Sequence, residues 1–210
     1  MSFDDLPKFH TPTRLAVMLS GSGRTLDNLL EHIKRGDLEA VIPVVIASKE
    51  CLGAKKARDA GIETHVQSGK LESDWLCEVC EQRDIDLIVL AGYLKLVPIS
   101  DRERYRVINI HPALLPDFGG NGMHGHHVHE AVIEAANRGE VCESGCTVHF
   151  ADDQYDTGSV ILQRRCPVHS DDSPDQLAAR VFELECEAYP QALKMLIERN
   201  AERSGANNPA

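Results

Sequence analysis

Leu15-Ala16-Val17-Met18-Leu19-Ser20-Gly21-Ser22-Gly23-Arg24-Thr25-Leu26 is the stretch whose reading decides the fold. The apolar run Leu15 to Leu19 has the length and composition of a buried strand, and Ser20-Gly21-Ser22-Gly23 breaks it. Leu26, Leu29, Leu30 and Ile33 then recur at i, i+3, i+4 and i+7, the stripe of an amphipathic helix. A strand that passes through a glycine turn into a helix is the first half of a βαβ unit.

The same alternation continues along the chain. Val41 to Ala47 reads as a strand whose Pro43 calls for an edge position or a bulge, and Ala54 to Ala60 reads as a short helix closed by Gly61. The spacing predicts a helix over 73–83 and strands over 86–91 and 107–110. Strands alternating with helices imply an α/β fold, a Rossmann-like, mostly parallel sheet with helices on both faces. After about residue 117 the texture changes. Gly119, Gly120, Gly122 and Gly125 make a loop, Val128, Val132, Ile133 and Ala136 form a helix, and two strands, Cys146 to Phe150 and Val160 to Arg165, flank a loop containing Asp156. Ser173, Pro174 and Gln176 carry the signals of a helix start. Leu177, Val181, Leu184 and Ala188 are the buried stripe of that last helix, and Pro190 is expected to kink or interrupt it. The reading is a single domain over 13–200, with one lobe up to about 117 and a second after it, flanked by disordered segments at 1–12 and 201–210.

The chain has 210 residues, 42% of them hydrophobic, and a net charge of −11, values that fit a globular protein with a real core. The acidic balance and the absence of a Lys/Arg run argue against nucleic acid as a partner. No apolar run approaches the roughly 18 residues that span a bilayer, so no membrane is expected. The N-terminus is acidic where a secretory signal would be basic, so the location is expected to be cytoplasmic. Seven cysteines scattered through apolar segments are expected to be reduced. Cys77-Glu78-Val79-Cys80 has redox or zinc spacing, but it sits in a helical pattern and has no second pair.

Three segments could carry chemistry. Ser20 to Thr25 lets the backbone approach a ligand and presents free N–H groups at a helix start, which suits a phosphate; the alternative is a tight strand-to-helix turn. A third glycine would be needed at Leu26 for the dinucleotide fingerprint, and the Walker lysine is absent. Asn109 and His111 stand two apart at the end of a strand, so both side chains leave by the same face. The carboxamide could polarise a carbonyl and the imidazole could move a proton near neutral pH, or the pair could simply cap the loop. Asp156 precedes Thr157-Gly158, a turn signal. Near a histidine its carboxylate would hold one tautomer and raise the imidazole pKa. His124, His126, His127 and His129 form a cluster open to three readings: a metal site, substrate contacts or a plain loop and helix start. Glu185, beside Val181 and Ala188, is either half-buried against a partner or at the edge of the stripe.

Taken together, Ser20-Gly21-Ser22-Gly23, Val89 to Leu96, Asn109 to Pro116, Gly145 to Phe150 and Asp156-Thr157-Gly158 resemble the folate-dependent phosphoribosylglycinamide formyltransferase family over roughly residues 14–197. The resemblance implies the formyltransferase fold. It implies transfer of a formyl group from 10-formyltetrahydrofolate, as co-substrate, to the amine of 5'-phosphoribosylglycinamide in purine biosynthesis, without a metal. Asn109, His111 and Asp156 match the family's catalytic trio. Gly23, Arg24 and Thr25 match the loop that holds the ribose phosphate, and Phe182, Glu183, Leu184 and Glu185 match a helical stretch touching the ribonucleotide. Leu94, Lys95, Leu96 and Val97, with Asp152, Asp153, Gln154, Tyr155, Asp156 and Asn109, match the lining of the folate pocket. The partners implied are small-molecule substrates, for a monomer or homodimer. The chain departs from the family where Arg24-Thr25 replaces Ser-Asn, where 67–74 is short, and where 119–129 carries extra residues. Another formyl-folate enzyme with the same trio, a hydrolase or a sugar-nucleotide formyltransferase, is the alternative; further classes are a nucleotide-binding module without catalysis and a histidine-based metal sensor.

Overall fold

A computed structural model describes residues 6–99 and 106–206. The elements are β1 (Thr13–Leu19), α1 (Arg24–Arg35), β2 (Ala40–Ala47), α2 (Leu52–Asp59), β3 (Glu63–Val66), α3 (Ser73–Glu81), β4 (Leu87–Leu90), β5 (Val107–His111), α4 (His126–Asn137), β6 (Glu143–Phe150), β7 (Val160–Pro167) and α5 (Pro174–Ala206). The strands are ordered β3-β2-β1-β4-β5-β6-β7 in a seven-stranded sheet. Two compact units are present, one of the residues up to Ile108 with those from Leu193 on, the other Asn109–Ala192; the change of texture in the sequence put this division near 117.

In the first unit β1 pairs in parallel with β2 and β4, and β2 in parallel with β3. Strands covered on both faces read as continuous apolar runs; Leu15 to Leu19 and Leu87 to Leu90 are buried throughout. Pro43 sits in a strand that has neighbours on both sides. The register steps from Arg14↔Val41 to Ala16↔Val44, so β2 carries one extra residue at the proline and its missing N–H falls in a bulge. β3 has no counterpart in the sequence reading. It is four residues long, mostly polar and half-exposed or exposed at the sheet edge, so it lacks the apolar run that marks the inner strands.

Residues 6–12, expected to be disordered, are tied down. Leu6 and Phe9 are buried. The Asn200 carboxamide accepts from the Phe9 N–H at 2.8 Å and donates to the Pro7 carbonyl at 2.8 Å. The Asp86 carboxylate, also buried, accepts from the backbone N–H groups of His10 and Arg14. Residues 1–5 of that segment, and 207–210 of the tail, lie outside the described residues, while 201–206 continue α5.

In the second unit β6 and β7 run antiparallel, joined by residues 151–159. α5 opens on a capping box, with Gln176 N–H donating to Ser173 Oγ at 3.2 Å and Ser173 N–H donating to Gln176 Oε1 at 2.8 Å. The helix runs through Pro190 without interruption. Leu177, Val181 and Ala188 are buried as the stripe predicts; Leu184 is half-buried. Among the described residues no helix is long and apolar enough to cross a membrane.

Candidate active site

β5 ends at His111, and its pleat sends Asn109 and His111 to one carboxylate. His111 Nδ1 lies 3.4 Å from Asp156 Oδ2, and Asn109 Nδ2 lies 3.4 Å from Asp156 Oδ1. The imidazole and the carboxylate are almost fully buried, with side chains 3% and 8% exposed. Residues far apart in the chain thus meet within one unit, a contact that periodicity could not reveal.

Local backbone geometry brings Asp156 there. The Asp152 carboxylate accepts from the Gln154 N–H at 3.1 Å and from the Thr157 hydroxyl at 2.7 Å, winding residues 152–157 into a turn. Asp156 takes the left-handed conformation at φ 60° that aspartate tolerates better than most residues. Gly158 closes the turn so tightly against strand β6 that a Cβ there would lie 1.8 Å from the Phe150 carbonyl oxygen. From the other side, Gly120 donates its N–H to Asp156 Oδ2 at 3.0 Å. Gly119 leaves room for that approach: a Cβ on it would meet Leu115 Cδ2 at 2.6 Å and Asp156 Cβ at 3.2 Å.

His111 Nε2 lies 2.8 Å from the Phe118 carbonyl, which assigns a proton to Nε2. In the neutral ring Nδ1 then faces Asp156 without a proton, and a second proton taken there has the carboxylate as its acceptor. The sequence reading expected Asp156 to raise the His111 pKa. Burial is the larger influence and pushes it down; the Asp156 charge and the Phe118 carbonyl push up but do not prevail, and the net direction is downward. For Asp156 burial alone would raise the carboxyl, but His149, the charge of His111 and the Gly120 N–H together hold it below the usual carboxylate range. The pair therefore rests as a neutral imidazole beside a carboxylate at neutral pH.

His149 is the residue that sequence reasoning missed. It is 1% exposed, its Nδ1 lies 2.9 Å from the Phe150 carbonyl, and its Nε2 lies 3.1 Å from Asn109 Nδ2. With the proton on Nδ1, the ring accepts from the Asn109 amide and fixes which end of that carboxamide faces it. A signal was present: Thr147 and His149 are polar residues two apart in an apolar strand, the same spacing as Asn109 and His111. Thr147 holds the segment after His111. Its hydroxyl accepts from the Leu115 N–H at 3.0 Å and the Gln163 amide at 3.0 Å, and donates to the Ala113 carbonyl at 2.7 Å.

Elsewhere in this unit, Asp153, Gln154 and Tyr155 are exposed, as is Glu183, while Phe182 and Glu185 are half-buried. The Glu185 charge reaches the Cys146 thiol, which burial first and Glu185 second push up to about 12. Of the histidine cluster, His129 is buried in α4, and the others are exposed or pair with acids, His127 Nδ1 with Glu130 at 3.1 Å. Among the described residues no group of three or more His, Cys, Asp or Glu is placed to hold a metal ion. None of the seven cysteines is in a disulfide.

In the first unit, Gly23 caps α1 at φ 74°. A Cβ on it would lie 2.7 Å from the Gly53 Cα, so both the conformation and the close passage of α2 demand glycine. Arg24 and Thr25 are the first two residues of α1, Arg24 exposed and Thr25 half-buried. Among the positions matched to a folate lining, Val97 is buried, and Leu94 and Leu96 are open to solvent. The Lys95 ammonium is turned onto backbone carbonyls.

The chain thus presents an α/β sheet whose strand β5 ends in an Asn-x-His pair beside a distant buried aspartate, groups that can polarise a carbonyl and carry a proton. The formyl transferase family model matches residues 13–193, and the chain belongs to that family. Within it, the relatives include phosphoribosylglycinamide formyltransferases and trifunctional purine biosynthetic proteins. The enzyme of Haemophilus influenzae is 33% identical over 88% of this chain and 87% of its own length. The chloroplastic enzyme of Vigna unguiculata is 38% identical over 88% of this chain, and the chain spans 61% of that relative's length. Among solved structures, glycinamide ribonucleotide transformylase 1 from Symbiobacterium toebii aligns with a TM-score of 0.76 at 31% identity, covering 89% of this chain and 88% of that one.

Proposed function

We propose that this chain transfers the formyl group of 10-formyltetrahydrofolate to the amine of 5'-phosphoribosylglycinamide, a step of purine biosynthesis. The observation that carries the reading is the buried cluster in which Asn109 and His111 share the Asp156 carboxylate. The names of the relatives point the same way.

The substrate amine attacks the formyl carbon, whose oxygen gains negative charge as the carbon becomes tetrahedral. Asn109 donates from its side-chain amide to that oxygen, giving up its long 3.4 Å contact with Asp156 while His149 keeps the carboxamide oriented. The amine nitrogen must lose a proton and the folate nitrogen must gain one before the carbon–nitrogen bond to the folate breaks. A neutral, buried imidazole is the right carrier, since it accepts a proton that Asp156 then stabilises. The products are the formylated ribonucleotide and tetrahydrofolate.

Gly23, Arg24 and Thr25 take the ribose phosphate through the N–H groups of the helix start and the Arg24 charge, and Phe182 to Glu185 meet the rest of the ribonucleotide. Leu94 to Val97 and Asp152 to Asp156 serve the folate. No metal takes part, and the partners are small molecules rather than nucleic acid or membrane. The setting is a reducing cytoplasm, which suits seven cysteines outside any disulfide.

The deciding assay mixes the purified protein with 10-formyltetrahydrofolate, with and without the ribonucleotide, and follows folate absorbance. Turnover is expected only when the ribonucleotide is present. Folate consumption that ignores it would assign a hydrolase instead.

A further inference from the structure

The carboxyl ends of three strands in the first unit are joined by polar side chains. Ser20 Oγ, just past β1, accepts from the Ser48 hydroxyl at 2.7 Å and from the Leu94 N–H at 3.0 Å. Both serines are buried, and they join the ends of β1 and β2 to the segment that follows β4. Lys95 carries this lacing outward. Its Nζ donates to the carbonyls of Ser68 at 2.7 Å and Gly69 at 2.9 Å, and lies 3.3 Å from the Ser48 carbonyl and 3.4 Å from that of Gln67. An ammonium has three donors and no acceptor, so a ring of main-chain oxygens saturates it. Without the cation, four carbonyl dipoles would converge with nothing between them. Gln67 donates its N–H to the Ala47 carbonyl at 2.8 Å, so the cation's part falls on Ser68 and Gly69, which have little side chain to pack.

We propose that Lys95 is a positioning residue. Its ammonium fills a cradle of four main-chain carbonyls and thereby holds segment 67–69 against the ends of β2 and β4, so that the segment and Leu94–Val97 form one fixed wall. Lys95 is then spent within the protein and is not a ligand for an anionic group of the substrate. An anion would have to draw the ammonium away from two full charge-assisted bonds. The short 67–74 stretch is fixed by a cation reaching in from the segment after β4, which a longer loop with its own side chains would not need.

The kinetic consequence rests on the folate reading above; the chemical one does not. In the wild-type protein, competitive labelling with a limiting acid anhydride compares Lys95 with Lys70, whose side chain is 83% exposed. Lys95 is expected to react at least about tenfold more slowly, because acylation requires the ammonium to leave its carbonyls. Equal labelling overturns the proposal without any variant. Lys95→Met removes the charge and keeps the stem. It is expected to speed tryptic cleavage after Lys70 and to raise the KM for 10-formyltetrahydrofolate about tenfold, the loss of about 1.4 kcal/mol, with kcat little changed. Lys95→Ala supplied with propylammonium is expected to recover both properties, since that cation replaces the missing stem and charge. Unchanged cleavage and KM in Lys95→Met, no recovery of Lys95→Ala with propylammonium, or equal recovery with propanol overturns it. If the wild-type enzyme fails to use the folate, the function proposed above falls, while slow labelling and faster cleavage still report on the cradle.

Discussion

The loop Ser20–Thr25 and the cluster around Asp156 solve different problems by different means. The loop is contiguous in sequence and works through backbone: a left-handed glycine, a close passage of Gly23 over Gly53, and the N–H groups of a helix start. The cluster draws on residues 109, 111, 118, 120, 149 and 156 and works through buried side chains whose protons are assigned by their neighbours. A site that holds a ligand needs shape and N–H groups, which a short stretch can supply. A site that moves protons needs groups with opposed environments, which only tertiary structure can assemble.

The largest expected effect lies in the cluster. Asp156→Asn keeps the size of the side chain and removes the charge that stabilises a second proton on His111. Activity is expected to fall about 10²–10⁴-fold, the range of general acid–base catalysis, and His111→Ala and Asn109→Ala are expected to fall comparably while circular dichroism stays native. A loss of less than tenfold in Asp156→Asn would reduce the carboxylate to a turn residue, and the contrast with the loop would disappear.

A smaller effect is expected in the loop, where two glycines allow a controlled test. Gly23 and Gly36 flank α1, both left-handed, at φ 74° and 78°. A Cβ on Gly36 meets nothing within 4 Å, whereas one on Gly23 meets the Gly53 Cα at 2.7 Å. Gly36→Ala should therefore show backbone strain alone, about 1–2 kcal/mol in urea unfolding. Gly23→Ala should cost more and also raise the KM for the ribonucleotide, because the loop must shift off α2. Equal effects of the two substitutions would show that strain, not the close passage, is what glycine relieves at position 23.

This contrast also explains what the sequence could reveal. β1, its glycine turn and α1 follow from a local pattern, and so does the bulge at Pro43. The pairing of Asn109 with His111 follows from a pleat. The edge strand β3 was illegible because Val66 is its one apolar residue, and the continuity of α5 through Pro190 because tertiary packing overrides a local breaker. The order of residues 6–12 depends on Asn200, almost the full length of the chain away. The direction of the His111 shift could not be read either. A nearby carboxylate is visible as a candidate in the sequence, but the burial that outweighs it is a property of the whole unit.

The smallest effect concerns that burial directly. His129 in α4 is 6% exposed, and its Nδ1 has no hydrogen-bond partner among the described residues. Burial first, then the neighbouring His126 and His111, push its pKa down to about 4 from 6.5. Because the folded value lies below the unfolded one, the unfolded chain takes up a proton first as the pH falls. The stability contribution is thus complete above 6.5 and is lost on the way down to about 4. His111 acts in the same direction. The buried polar groups of the glycine-loop region, Ser20 and Ser48, do not titrate in this window. His129→Gln should therefore flatten the dependence of unfolding free energy on pH by up to about one proton, or about 1.4 kcal/mol per pH unit, between those limits. Urea unfolding at intervals from pH 7 to pH 4 reads the slope. An unchanged slope would mean that His129 takes up its proton as readily in the folded protein as in the unfolded chain, and that α4 admits charge as readily as the surface does.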